Sequence, residues 1–148
     1  MIKFYSANKD KWAELSNMRG SGFYVKDNGT MLFMQCVEKF YVYCKSIRSV
    51  DKELVLKCKN GFECKKIGKK IKLREDWEKI KVDVMRYALK KKFENERMKK
   101  LLLNSGNEKL VEDNPWDEFW GCGKNEEGLN MMGKLLMELR KEIRIQGE

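Results

Sequence analysis

Glu38 and Lys45 are the first residues in this chain that invite a chemical reading. They stand seven positions apart in a largely apolar stretch, so on a helix they share a face, displaced along the axis by about 10 Å. That separation is too long for a direct ion pair within the helix, yet both side chains can reach one pocket from opposite ends. A buried charge is costly unless it is paired. The alternatives are that each is paired structurally or that the helix turns this face to solvent; charges on a mostly apolar helix favour a site. The second candidate is Trp120-Gly121-Cys122-Gly123, followed by Gly128, Asn130 and Gly133. Glycines let backbone approach a ligand closely. The helix expected after them would offer free N–H groups to a phosphate, with Asn130 as its cap. Asp117 and Trp120 add a carboxylate and a flat stacking face. The same residues also suit a tight loop with an ordinary cap. Leu15-Ser16-Asn17-Met18 sets a polar pair inside an apolar bracket and, alone, reads as a turn.

Composition narrows the chemistry. The chain has no histidine, which excludes Ser-His-Asp and Cys-His catalysis and the H-E-x-x-H metalloprotease motif. Acid–base work falls to carboxylates, lysine, tyrosine or cysteine. Five cysteines, an odd number with no C-x-x-C pair, argue against a disulfide framework and a zinc knuckle. No metal or cofactor is expected. The net charge of +9 can attract phosphates. The lysines are dispersed among carboxylates, however, and read as solvated helix faces. No apolar run approaches the ~20 residues of a membrane span, and residues 1–5 lack the apolar stretch of a signal peptide. A cytoplasmic protein without a membrane partner is expected.

The elements that must position these residues follow from length and periodicity. With 148 residues the chain suits one domain, residues 1–148, with a real core. Residues 2–5 and 23–25 read as strands, the second ending in the turn Asp27-Asn28-Gly29. Residues 31–46 are apolar almost all round, which predicts a buried central helix. Short helices are expected over 50–58, closed by Asn60-Gly61, and over 62–67 before Gly68. The longest helical pattern runs from 75 to about 96 through Trp77, Ile80, Val84 and Tyr87. It continues over 99–103 to a loop at 104–107. Residues 109–112 read as extended, and 130–143 as a final helix with Met132, Leu135, Leu136, Leu139 and Ile143 inward. The fold class is mainly α (α+β), with a buried central helix and a small β element.

Read together, these pieces resemble the NADAR (YbiA-like) family. The family's F-Y-S strand and F-S-N-F element are matched by Phe4-Tyr5-Ser6 and Leu15-Ser16-Asn17-Met18. Its E-H-Y-F-x-x-x-K helix is matched by Glu38-Lys39-Phe40-Tyr41 and Lys45, and its G-R element by Gly68-Lys69. Trp77, Val84-Met85, Ala88-Leu89 and Lys92-Phe93 follow, then Leu101-Leu102-Leu103 and Lys109-Leu110-Val111-Glu112. The closing motif appears as Asp117, Phe119-Trp120-Gly121-Cys122-Gly123, Gly128, Asn130, Gly133 and Leu136-Met137-Glu138-Leu139-Arg140. The match runs through nearly the whole chain in order. It departs at Cys122, where the family has an acid, at Val42 in place of glutamine, at Lys39 in place of histidine, and at Met18 in place of phenylalanine. These departures bear on substrate preference more than on the fold.

The resemblance implies an N-glycosidase that hydrolyses the bond between a phosphorylated ribose and a nitrogen. The substrate would be a ribose 5-phosphate amine of early riboflavin synthesis or an ADP-ribosylated guanine, the latter borne on nucleic acid. Breaking such a bond leaves positive charge on the ribose or requires an opened ring, and a nearby carboxylate can stabilise that charge or move a proton. Glu38 is the candidate. A lysine of lowered pKa can attack C1′ of the opened sugar as a Schiff-base nucleophile, and Lys45 is the candidate, with phosphate or hydroxyl binding as its alternative role. Trp77 and Trp120 would stack on the base or hold the sugar, or pack in the core. Asn17, Asp117 and Asn130 would bond ribose hydroxyls or the leaving group. Gly121 and Gly123 would bring N–H groups to phosphate, and Lys69 would add charge near it. Two other classes are weighed: a non-catalytic sensor of ADP-ribose or NAD-derived nucleotides, and a plain nucleic-acid binder. The last has no aromatic-basic interleaving behind it.

Overall fold

A computed structural model describes residues 1–147, which divide into two compact units: Asn17–Lys92, and Met1–Ser16 with the chain from Phe93 onward. The class is α+β, with six helices and two small two-stranded sheets.

The unit spanning Asn17–Lys92 is built round one short helix. Strand β1 (Ile2–Phe4) belongs to the other unit; here β2 (Phe23–Asp27) pairs antiparallel with β3 (Thr30–Met34). Asn28 and Gly29 join them with φ of 48° and 81°, the doubly left-handed loop that suits the twist of a hairpin. Residues 31–34, expected within the central helix, therefore belong to a strand. Their alternation shows why. Met31 and Phe33 face outward, 59% and 47% exposed, whereas Met34 is buried. Apolar residues on both faces of this strand hid its period of two.

The central helix, α1, is Val37–Lys45, nine residues long. It packs against β3, α2 (Ser49–Leu56), α3 (Gly61–Gly68) and α4 (Trp77–Lys92). Asn60 does not close α2, as the sequence suggested, but opens α3: its side-chain oxygen accepts the Glu63 N–H at 2.9 Å. The end of α2 is held instead by buried Lys39, whose ammonium donates to the carbonyls of Leu56 at 2.9 Å and Cys58 at 3.2 Å and to Gln35 Oε1 at 3.0 Å. Three acceptors satisfy a cation that burial would otherwise disfavour.

The long pattern over 75–96 ends sooner than its periodicity implies. Helix α4 stops at Lys92, and Asn95 caps a separate helix, α5 (Glu96–Asn104), accepting the Met98 N–H at 3.2 Å.

In the other unit, β1 (Ile2–Phe4) runs parallel to β4 (Leu110–Glu112), with Ile2 opposite Leu110. A single 3-10 turn at Lys11–Leu15 is capped by Asp10, which accepts the Trp12 N–H at 2.9 Å. Helix α6 (Met131–Gln146) buries Met132, Leu135, Leu136 and Leu139; Ile143, expected inward, is half-exposed. A Cβ at Gly133 would lie 2.0 Å from the Leu110 carbonyl oxygen, so α6 meets β4 at glycine.

Candidate active site

Helix α1 is buried along Val37, Lys39, Phe40, Val42 and Tyr43. Glu38, Tyr41 and Lys45 are half-buried. Their spacing of three and then four puts them in one row, so the face bearing the two candidate charges is the accessible one. At its head, the Glu38 N–H donates to the Asn17 carbonyl at 3.0 Å, fixing Asn17 beside the carboxylate residue. The Asn17 amide nitrogen lies 3.7 Å from Met85 Sδ. At its foot, Lys45 Nζ is 5.7 Å from the centre of the Tyr41 ring, and Tyr41 meets buried Trp77 edge-on at 4.9 Å. The Lys45 carbonyl accepts the Arg74 N–H at 3.0 Å, tying down the helix end.

The amine of Lys45 is held below the ordinary lysine range. Burial is the main cause; the charge of Glu38 opposes it, and that of Lys65 adds to it. Desolvation and a like charge both disfavour an ammonium, so a larger fraction is the free amine at neutral pH than for a lysine in water. Glu38 and Lys45 thus interact through their charges although two helical turns separate them. Gly68 supplies the room: a Cβ there would lie 3.1 Å from Lys45 Nζ and 3.1 Å from Val42 Cγ2. Lys69, the residue expected to bring positive charge, is the exposed C-cap of α3; Lys65, one turn earlier, is the cation that acts on Lys45. Lys65 and the clearance role of Gly68 escaped the sequence reading. Tyr41 was legible from its helical spacing but was absent from the candidate set.

The glycine-rich bend in the other unit has a different logic from the one expected. The N–H groups of Gly128, Leu129, Asn130, Met131 and Met132 donate to the carbonyls of Cys122, Glu118, Gly121, Phe119 and Trp120, at 2.6 to 3.0 Å. The first two N–H groups of α6, those of Met131 and Met132, are therefore spent within the bend and do not serve the phosphate expected there. Gly123 N–H likewise goes to the Asn114 carbonyl at 3.1 Å. Gly123 has φ of 66°, and a Cβ on Gly121 would lie 3.0 Å from Asn114 Cβ and 3.0 Å from its oxygen: the glycines serve close chain packing. Asn130 is not a side-chain cap either. It sits in the left-handed region at φ 51°, accepts the Glu112 N–H at 3.0 Å and donates to the Leu110 carbonyl at 2.9 Å. Asp117 Oδ1 accepts the N–H groups of Phe119 and Trp120 at 3.0 and 2.8 Å, presenting the half-buried Trp120 ring edge-on to Phe119 at 4.8 Å. Cys122 is buried, its thiol pushed up chiefly by desolvation and then by Asp113.

The two sets of candidates thus lie in separate units. Asn17, Glu38, Lys45, Lys69 and Trp77 belong to one; Asp117, Trp120, Gly121, Gly123 and Asn130 belong to the other. Among the described residues, no helix is long and apolar enough to cross a membrane.

Comparison with known proteins brings both sets under one pattern. The family model for the NADAR domain matches residues 3–144. An N-glycosidase of Nostoc punctiforme is 37% identical over 135 residues, covering 87% of this chain and 84% of that protein. The N-glycosidase YbiA of Escherichia coli is 32% identical over 149 residues, covering 99% of this chain and 90% of that protein. The NMR structure of E. coli YbiA superposes with a TM-score of 0.83 at 32% identity, covering 99% of this chain and 86% of that chain. The riboflavin biosynthesis protein PYRR of Zea mays is 35% identical over 158 residues, which take in 97% of this chain but 25% of that longer protein.

Proposed function

The chain belongs to the NADAR domain family, and on that premise we propose that it is an N-glycosidase, an N-glycosyl hydrolase whose residues 1–148 work as one domain. The relatives named N-glycosidase support the reaction class. The observation that carries the mechanism is the accessible row Glu38–Tyr41–Lys45 on α1, with a carboxylate at one end and an amine of lowered pKa at the other.

The substrate on this reading is a phosphorylated ribose, as ribose 5-phosphate or ADP-ribose, joined at C1′ to an amine or base nitrogen. With the ring opened, C1′ is an imine carbon. The neutral Lys45 amine adds to C1′, its two protons pass to the departing nitrogen with Glu38 as the relay, and the C1′–N bond breaks to release the amine and leave a Schiff base on Lys45. Water then adds to C1′ and releases the sugar phosphate and the free lysine. One water is consumed and one amine is released. Tyr41 and Trp77 form the wall behind the amine, and Asn17 lies beside Glu38. Lys69 is proposed to attract the phosphate, Trp120 to stack on the base, and the remaining oxygen of Asp117 to bond a ribose hydroxyl. For Gly121, Gly123 and Asn130 we propose the role of shaping the bend that presents Trp120 and Asp117.

The test is turnover of two substrates, a ribosylamine 5-phosphate of the riboflavin route and an oligonucleotide carrying ADP-ribosylated guanosine. Release of free amine or base from either, lost in Glu38→Ala, supports the proposal. Cyanoborohydride trapping during turnover is expected to add the sugar mass to Lys45. Tight binding with no product from either substrate would mark a sensor instead and sink the enzyme reading.

A further inference from the structure

The opposite side of α1 holds a cavity of about 310 Å³. Phe40 and Tyr43 line it; each follows Glu38 or Tyr41 by two residues, a turn of about 200° on a helix. The cavity therefore backs onto α1 away from the Glu38–Lys45 row. Its size lies at the lower end of the roughly 300–1,000 Å³ usual for small-molecule pockets.

Its walls are aromatic and its rim is cationic. Tyr87, 48% exposed, shows a ring face beside Phe40, with the two centroids 5.7 Å apart and the planes at 35°. Tyr43 is fixed by its hydroxyl, which donates to Asp27 Oδ2 at 2.6 Å. That bond engages one oxygen of the carboxylate lining this cavity. Lys26, Lys52 and Arg74 supply the positive charge. Arg74 is engaged by Asp76 at 2.9 Å. Lys52 stands 4.5 Å above the Tyr43 ring, and neither Lys52 nor Lys26 pairs with a carboxylate among the described residues. Asp27 offsets one positive charge, and the remaining excess beside the rings of Tyr43 and Tyr87 asks for a ligand with a negative charge on one side and an aromatic surface on the other. Lys52 and Arg74 also line a neighbouring cavity of about 450 Å³ beside Ser46 and Ile47.

We propose that this groove is a second ligand site, separate from the glycosidase site, that binds a nucleotide through a base stacked on Tyr87 and a phosphate held by Lys52 and Lys26. The ligand is either a free mononucleotide or one residue of a nucleic-acid strand, since both present the same base and phosphate.

Fluorescence titration of the full chain with 1,N6-etheno-adenosine 5′-monophosphate tests this, with etheno-adenosine as the probe lacking phosphate. Saturable binding is expected, about tenfold weaker for the nucleoside. It should weaken about fivefold in Lys52→Gln and in Tyr87→Ser, both surface changes whose fold is checked by circular dichroism, and it should persist in Glu38→Gln. Absence of saturable binding overturns the proposal, as does binding that survives Lys52→Gln and Tyr87→Ser but is lost in Glu38→Gln. Because the last pattern would place the nucleotide in the glycosidase site, failure here leaves the proposed activity standing. A short single-stranded oligonucleotide added as a competitor separates the sources: displacement at far lower concentration than the mononucleotide supports a strand, and equal displacement supports a free nucleotide.

Discussion

Gly68 leaves the space in which the amine of Lys45 sits: a single methyl group at position 68 would come within 3.1 Å of Nζ. Gly68→Ala must push either the amine or α3 by a few tenths of an ångström. A displaced nucleophile loses rate steeply with distance, so kcat for the proposed hydrolysis should fall about tenfold. The thermal midpoint should fall modestly, because the new methyl also lies 3.1 Å from Cγ2 of buried Val42, which has less room to move than Lys45. Steady-state kinetics beside a melting curve check this; unchanged kcat would show that the amine position is immaterial.

Lys65 bears on the same amine through charge. It lowers the Lys45 pKa while Glu38 raises it. Free amine appears as pH rises through that pKa, so activity dependent on it should rise over the same interval. Lys65→Glu removes a like charge and adds an opposite one, raising the Lys45 pKa. The alkaline-going limb of kcat should therefore move to higher pH, with lower activity at neutral pH and recovery at higher pH. A profile that keeps its position would sever Lys45 from the rate.

Asn130 is buried and bonds β4 through both ends of its amide. Asn130→Ala leaves the Glu112 N–H and the Leu110 carbonyl without that partner and places a Cβ-bearing residue less tolerant of φ 51°. The loss should be about 2–4 kcal/mol in urea unfolding. Asn130→Asp retains the acceptor but sets an anion against the Leu110 oxygen and should rescue little. A neutral outcome for both would dissociate the bend from β4.

Asp51 is buried and is held below the ordinary carboxylate range, first by its bond from Arg48 at 2.9 Å and also by the Lys72 N–H. A carboxyl whose folded pKa is depressed stabilises the fold above its unfolded value and loses that contribution as pH falls through the folded value. Arg48→Gln should destabilise the protein at neutral pH, and the gap from the parent should close in the acid range. Unfolding curves taken from neutral to about pH 3 would reveal a constant gap if the pair is inert.

Much of this was legible in the chain itself, and the exceptions are physical. The Glu38–Lys45 face followed from helical spacing alone, and the Asn28-Gly29 turn from residue type. The start of α1 was misplaced because Met31, Leu32, Phe33 and Met34 are apolar on both faces, so period and composition pointed in different directions. Asn60 and Asn95 cap the helices that follow them, but both lie in patterns that looked continuous or closing; only the backbone bonds to Glu63 and Met98 distinguish start from stop. The bend at Asp117–Asn130 was recognisable as a motif, but local sequence does not tell that neighbouring carbonyls consume the N–H groups of Gly123, Met131 and Met132. Lys39 was legible only as a departure from the family's histidine, and its bonding partners lie 17 and 19 residues away at Leu56 and Cys58.

The brevity of α1 makes it a ruler. Each residue inserted between Glu38 and Lys45 would swing the lysine about 100° round the axis, toward the side occupied by Phe40 and Tyr43, and inserting a full turn would restore its bearing while carrying it about 6 Å farther off. Changes in chain length can be absorbed at the Asn28-Gly29 loop or between α2 and α3. They cannot be absorbed in this interval without parting the acid from the amine.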